Sequence, residues 1–342
     1  MRNISIIIPC RNEKNFISAC LQSIVENDYP KDHLEVLVVD GMSEDGTRDI
    51  ILELTEKYFF IKMLDNPKKI TPCALNIGIK NARGEIIMRM DAHNIYPPNY
   101  ISDLIAWLEK SGADNVGGIC ITKAANDTPK AQAIALALSH PFGVGNAYFR
   151  IGSSEPRWVD TVPFGCYRRE VFERIGLFDE ELVRNQDDEF NLRLKKSGGK
   201  ILLIPQIVSY YFARDSLIKL WRMYWQYGYF KPLVARKIGG ILTFRQIVPG
   251  IFVASLSSCL ISGIFIYSTF KIFYILIGSY LITNMVTSLT AAPKINFRTK
   301  LWLMISFPIL HFSYGLGYLK GIWDFWVRRR LSKAAAHIPM SR

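Results

Sequence analysis

Gln246 to Phe270 carries no charge across 25 residues, and after Lys271 the run Ile272 to Pro293 carries none across another 22. At ~1.5 Å per residue, either run is long enough to cross ~30 Å of hydrocarbon as a helix. Two such runs demand burial in an apolar core or in a bilayer. The charge distribution favours the bilayer. Residues 1–213 hold 25 Lys/Arg against 28 Asp/Glu, whereas 214–342 hold 17 Lys/Arg and only Asp215 and Asp324 as acids. Cations concentrated in the apolar half suit an anionic lipid surface; a nucleic-acid binder more often sets them on a soluble face among aromatics.

A third stretch, Leu301 to Leu319, is shorter and contains Pro308 and His311, so it reads as a span or as an interfacial segment. Lys294, Arg298 and Lys300 follow the second run and favour the cytoplasmic side, as do Arg328, Arg329 and Arg330 in the tail. A two-span hairpin with a re-entrant or interfacial third segment satisfies both, and keeps residues 1–245 cytoplasmic. Leu217 to Lys237 mixes Trp221, Tyr224, Trp225 and Tyr227 with Lys219, Arg222, Lys231 and Arg236. It reads as an interfacial helix, with an ordinary domain helix as the alternative. The expected organisation is an α/β domain over 1–213, interfacial helices over 214–245, a membrane region over 246–320 and a basic tail over 321–342.

The six cysteines are scattered without a C-x-x-C pair, which indicates reduced, buried thiols rather than zinc or a disulfide framework. Ile4 to Pro9 is too short for the apolar core of a signal peptide, so none is expected. Before residue 91, strand-like runs alternate with helical ones. Ile4–Pro9, Leu34–Asp40, Phe60–Leu64 and Glu85–Met90 read as strands, and Asn15–Glu26, Ser43–Tyr58 and Thr71–Asn81 as helices. This order implies a mainly parallel sheet with helices on both faces, whose ligands sit beyond the C-terminal strand ends.

Three polar clusters fall at those ends: Pro9-Cys10-Arg11-Asn12-Glu13, Asp40-Gly41-Met42-Ser43 and Asp91-Ala92-His93. A carboxylate and an imidazole two residues apart can hold a divalent metal against a diphosphate. Alone, Asp91 could merely cap the next element; beside two other clusters it points to a site. Neither G-x-G-x-x-G after the first strand nor a P-loop is present.

The runs Ser5-Ile6-Ile7-Ile8-Pro9-Cys10-Arg11-Asn12-Glu13, Val38-Val39-Asp40-Gly41-Met42-Ser43, Asn76-Ile77-Gly78 with Ala82-Arg83-Gly84, and Met90-Asp91-Ala92-His93 resemble those of family 2 inverting glycosyltransferases of GT-A fold. Gly165 to Phe172 resembles that family's acceptor-side segment, and Gln186-Asp187-Asp188-Glu189 with Arg193 its late acidic motif. Asp-Ala-His followed by a C-terminal membrane part is similar to the succinoglycan-type glucosyltransferase subgroup.

The resemblance implies a nucleotide pocket lined by Pro9, Arg11, Glu13, Asp40, Asn76 and Asp91, with Asp40 accepting from uracil N3–H. It places a metal, Mn²⁺ or Mg²⁺, at Asp91 and His93, and the softer imidazole favours Mn²⁺. It makes Asp187 the base, with Asp188 the competitor; a solvated helix start is the bland alternative. Trp158, Asp160, Gly165, Asp188 and Arg193 become candidates for the donor or acceptor sugar, with packing the alternative for Trp158 and Asp160. Phe142 to Phe149 reads as a candidate lid, and His140 as structural.

These residue types suit sugar transfer with inversion, which needs one carboxylate for the acceptor proton and a cation at the leaving diphosphate. The expected activity moves a hexose, glucose foremost, from a UDP-sugar to a lipid-linked (polyprenyl diphosphate) saccharide in exopolysaccharide or related glycan assembly. The catalytic domain would sit on the cytoplasmic side of the inner membrane. Transfer to a polyprenyl monophosphate is the nearest rival, and a sugar nucleotidyltransferase the rival from another class. The latter would need a Gly-rich basic loop where Arg11-Asn12-Glu13 stands.

Overall fold

The computed structural model describes residues 1–240 and 243–329. Arg330 and the rest of the basic tail lie outside the described residues. The chain divides into two compact units. One comprises Met1–Ile121 with Tyr148–Tyr211, the other Thr122–Ala147 with the chain from Phe212 onward. Residues 122–147 therefore belong with the helices, not with the sheet domain expected over 1–213.

In the first unit, strands β1 (Ile4–Cys10), β2 (Leu34–Asp40), β3 (Ile61–Asp65) and β4 (Ile86–Arg89) alternate with helices α1 (Ile17–Val25), α2 (Thr47–Lys57) and α3 (Thr71–Asn81). There follow β5 (Asn94–Ile95), α4 (Tyr100–Ser111) and β6 (Asn115–Lys123). After the excursion through α5 (Pro129–Ala137) and α6 (Pro141–Val144) come α7 (Tyr148–Ile151), β7 (Arg157–Trp158), β8 (Cys166–Arg168), α8 (Arg169–Ile175), α9 (Gln186–Lys196) and β9 (Ile201–Phe212).

The strand order is β3-β2-β1-β4-β8-β6-β9-β5, with β7 beside β9. β1 pairs in parallel with β2 and β4, and β2 with β3. β8 is antiparallel to both β4 and β6, so the sheet is parallel in its first half and mixed in its second. Both faces of β1 are buried, so its sequence is apolar apart from Ser5, whose hydroxyl donates to Glu35 at 2.7 Å. Ile4, Ile6 and Ile8 pack with Ile17, Leu21 and Ile24 of α1, while Ile7 packs with Ala74, Leu75 and Ile79 of α3. The glycines near α3 are set by that packing: a Cβ on Gly78 would stand 2.4 Å from Ile7 Cγ2, and one on Gly84 2.5 Å from Ser5 N.

The second unit holds α5, α6, α10 (Leu217–Ile238), α11 (Val248–Gly263), α12 (Ser268–Thr290) and α13 (Phe297–Ile322), which ends in a π-helical turn over Trp323–Val327. α12 is the one described helix both long and apolar enough to cross a membrane, at 23 residues with 11% of its most apolar window buried. The first expected span is shorter than its uncharged run. α11 has 16 residues, about 24 Å at ~1.5 Å per residue. The third stretch lies inside α13, whose Leu303, Phe307, Leu310 and Tyr318 are buried.

α10 is not a solitary interfacial helix. Its Leu220, Met223, Tyr229, Phe230 and Leu233 are buried, and glycines let it approach α13 closely. A Cβ on Gly228 would lie 2.0 Å from Tyr314 O, and Cβ atoms on Gly317 and Gly321 would lie 2.2 Å from Trp225 O and Tyr229 O. Gly317 and Gly321 form a G-x-x-x-G pair, the spacing that lets helix backbones touch. Phe142, expected in a mobile lid, is clamped: its carbonyl meets His311 Nε2 at 2.7 Å and its ring packs on Phe307 and Tyr280. His140 caps that turn, Nδ1 accepting from Phe142 N at 3.1 Å.

Candidate active site

The loops after β1, β2 and β4 meet at one edge of the first unit. Gly41 N donates to Cys10 O at 2.7 Å, Asn12 N to Ser43 Oγ at 2.8 Å and Glu44 N to Asn12 Oδ1 at 3.0 Å. Glu13 is buried and its Oε1 lies 3.5 Å from His93 Nδ1, tying the β1 loop to the β4 loop. His93 also packs edge-on to Tyr211. Asp91 N donates to Tyr96 Oη at 2.8 Å, which fixes the turn after β4.

Four non-glycine residues with positive φ border this edge: Asn12 (53°), Met42 (56°), Phe164 (48°) and Asn185 (61°). The left-handed region costs such residues energy, and proteins retain it where local geometry matters.

The centre of the site is Arg89, the last residue of β4. Its Nε and Nη2 donate to Asp91 Oδ1 at 3.0 Å and Oδ2 at 3.3 Å, and its Nη1 donates to Asp187 Oδ1. One planar guanidinium thus links two carboxylates 96 positions apart in sequence, a fork geometry that Lys cannot copy. The Arg89, Asp91 and Asp187 side chains are 12%, 19% and 40% exposed. Burial alone would lower the Arg89 pKa; Asp187 and Asp91 outweigh it and raise it, so the guanidinium stays charged. The protein packed around Asp187 raises its pKa above the ordinary carboxylate value, with Arg89 opposing and Asp91 reinforcing the rise.

Arg89 belongs to none of the polar clusters or motifs that the sequence singles out. The available signal was a cation ending an otherwise apolar, buried strand, since an arginine is rarely buried without partners.

Other expected site residues have different work. Asp40 is wholly buried, its Oδ1 accepting from Ser43 Oγ and its Oδ2 from Ser43 N at 2.9 Å and Arg48 Nη1 at 2.7 Å. It braces the loop over 41–43 from beneath instead of presenting an open face to a base. Asn76, expected in the nucleotide pocket, is buried and holds the backbone of Phe178 through Oδ1 and Nδ2, both at 2.9 Å. Arg193, expected near the sugars, forks onto Glu189 and donates to Leu177 O at 2.8 Å, anchoring α9 to the preceding loop. Gly165 O accepts from Arg89 N at 3.0 Å, and a Cβ there would lie 2.5 Å from Asn115 Oδ1.

Trp158 is separated from the site. It pairs with Leu202 at the start of β9, while Asn94, next to His93, pairs with Tyr211 near its end. Nine residues at ~3.3 Å per residue put them about 30 Å apart along the strand. Asp160 is half-buried two residues beyond Trp158. Pro9, half-buried on β1, and the exposed Arg11, packed over Gly41, remain at the loop edge, and Asp188 is half-buried beside Asp187 in the first turn of α9.

For a divalent cation the donor set is small. No three His, Cys, Asp or Glu side chains gather into a cage among the described residues. Asp91 offers hard carboxylate oxygens at the strand end. That fits a cation held by one or two protein ligands and completed by phosphate oxygens and water, the habit of Mg²⁺ and Mn²⁺ at phosphoryl groups.

The model of the glycosyl transferase family 2 matches residues 5–176. The chain is 31% identical over 334 residues to the dolichyl N-acetyl-alpha-D-glucosaminyl phosphate 3-beta-D-2,3-diacetamido-2,3-dideoxy-beta-D-glucuronosyltransferase of Methanococcus voltae, covering 94% of this chain and 98% of that protein. It is 30% identical over 246 residues to the succinoglycan biosynthesis protein ExoA of Rhizobium meliloti, covering 71% of this chain and 73% of that protein. Among solved structures it is similar to the mannosyltransferase PcManGT from Pyrobaculum calidifontis in complex with GDP-Man and Mn²⁺. That likeness has a TM-score of 0.62 at 18% identity and covers 94% of this chain and 88% of that one. The chain belongs to glycosyl transferase family 2 and has the GT-A fold. Membership removes the nucleotidyltransferase reading.

Proposed function

We propose that this chain is a membrane-bound inverting glycosyltransferase that moves a hexose from a UDP-sugar to a saccharide carried on a polyprenyl phosphate or diphosphate. The observation that carries the reading is the single guanidinium of Arg89 shared by Asp91 and Asp187. It sets the carboxylate suited to the leaving diphosphate beside the one suited to the acceptor proton.

In this mechanism the acceptor hydroxyl attacks the anomeric carbon from the face opposite the diphosphate. Its proton passes to Asp187, the anomeric carbon–oxygen bond to UDP breaks, and configuration inverts. The loops of Pro9–Glu13 and Asp40–Ser43 hold the nucleoside. Asp91, with His93 beside it, would hold a divalent cation, which would supply positive charge to the departing diphosphate. Gln186 stands beside Asp187 where the family motif more often has glutamate, so one neighbouring negative charge is missing.

Two features favour a lipid-borne acceptor at a membrane. α12 exposes Ile272, Ile275, Leu281, Ile282 and Val286, an apolar surface suited to acyl chains and not to water. The relative from Methanococcus voltae is named for an acceptor sugar on dolichyl phosphate. Lys294, Arg298 and Lys300 favour catalysis on the cytoplasmic side of the inner membrane.

The test supplies membranes bearing the protein with labelled UDP-hexoses, Mn²⁺ or Mg²⁺, and either bare polyprenyl phosphate or a lipid-linked saccharide. The expected product is a lipid-linked saccharide extended by one sugar whose anomeric configuration is opposite to that of the donor. Transfer onto bare polyprenyl phosphate would replace the acceptor; retained configuration, or no transfer from any UDP-sugar, would overturn the proposal.

A further inference from the structure

We infer that Arg89 is a positioning residue for the transfer reaction: its guanidinium holds the Asp187 carboxylate in register with Asp91, so that base and leaving-group site form one rigid unit. The inference rests on the proposed function. It goes beyond it by giving a task to a residue that neither the motif residues nor their spacing single out.

Asp187 reaches the site from the first turn of α9, whose preceding residue, Asn185, is left-handed at φ 61°. Asp91 reaches it from the turn after β4. Arg89 touches both, and its own backbone is fixed by Arg89 N donating to Gly165 O at 3.0 Å. Below Asp187 on α9, Asn191 is buried and accepts from Asn115 Nδ2 at 3.0 Å while donating to Thr161 Oγ1 at 2.8 Å. The helix is therefore anchored one turn further on, and Arg89 supplies the anchor at the carboxylate itself. A carboxylate with 40% of its side chain exposed would otherwise sample several rotamers. Misplacing a reacting group by about 1 Å costs on the order of 10²-fold in rate. Lysine retains the charge but lacks the fork, so it can serve one carboxylate well and not both.

The experiment compares the parent with R89K, D187N, the R89K/D187N double variant and D187E, measuring kcat, KM for the UDP-sugar, UDP affinity by calorimetry and thermal melting. R89K is expected to lose about 10- to 100-fold in kcat. Its affinity for UDP measured without metal should stay within about threefold, because the loops of Pro9–Glu13 and Asp40–Ser43 are untouched. The double variant should be no slower than D187N alone, because Arg89 acts through Asp187. D187E keeps the acid but displaces it by one methylene, and should lose at least about tenfold in kcat.

R89K or D187E retaining kcat within about twofold of the parent would overturn the inference. So would a double variant slowed by the product of the single losses. Should R89K not fold, R89Q is measured in its place against the same outcomes. If the parent transfers no sugar, the proposed function fails, and melting then judges the bridge. A double-variant Tm shift no larger than the greater single shift supports it, and a shift equal to the sum of the two overturns it.

Discussion

The sheet unit and the helical unit solve the problem of holding a chain together by different chemistry. In the sheet unit, side-chain polar groups do much of the fixing: Asp40 braces its own loop, Asn76 holds Phe178 and Arg193 forks onto Glu189. In the helical unit, side-chain contacts such as Asp324 with Tyr229 and Lys320 are joined by places where backbone meets backbone. Gly228, Gly317 and Gly321 bring α10 and α13 so near that a methyl group would collide with a carbonyl oxygen. Polar clamps suit a site that must present charges in fixed places, whereas small residues let two helix backbones touch.

The largest expected effect breaks the helical side of this comparison. Gly317→Val should cost about 3 kcal/mol, because its Cβ would sit 2.2 Å from Trp225 O and the helices must part. Gly278 has no neighbour within 4 Å of such a Cβ, so Gly278→Ala should be neutral or stabilising by up to about 1 kcal/mol. Thermal melting of both variants in detergent checks the pair; equal losses would remove close packing as the explanation.

Acid should strike the other unit. Only Asp127, Asp215 and Asp324 of the 30 acidic residues lie in the helical unit. In the sheet unit, Glu180 is held down to about 2 by hydrogen bonds from Lys68, Asn76 and Cys73. Its folded pKa lies below the unfolded value of ~4.3. Its contribution is therefore present above that value and is lost as pH falls towards about 2. Hydrogen exchange read by segment should show the loop over 176–180 opening as pH drops below about 4, while α10 and α13 stay protected. Earlier opening of α10 would contradict the contrast. Lys68→Met should move the opening of the loop to higher pH, a smaller effect because Lys68 is exposed.

Much of the first unit was legible because its central strands β1, β2 and β4 are largely buried and so read as mainly apolar runs. Leu34–Asp40 and Thr71–Asn81 have in the structure the bounds their sequence suggests. Legibility ends where distant segments pair. β8 inserts between β4 and β6, and no local pattern announces that Cys166 will lie beside Met88. The same limit hid Arg89, whose partner Asp187 arrives from a helix far along the chain. It also left unseen that the polar side chains of Asn76 and Arg193 hold the backbone of neighbouring loops. The uncharged runs fold as α11 and α12, but α11 stops after 16 residues, where Ile264 to Tyr267 turn the chain into α12.

The central claim is that Asp187 takes the acceptor proton in a site whose nucleotide loops are built separately from it. Asp187→Asn tests this most directly, with transfer and UDP binding measured on the same preparation. The account predicts that transfer falls by about 10²- to 10⁴-fold while UDP affinity stays within about twofold of the parent. Transfer at the parental rate would contradict it.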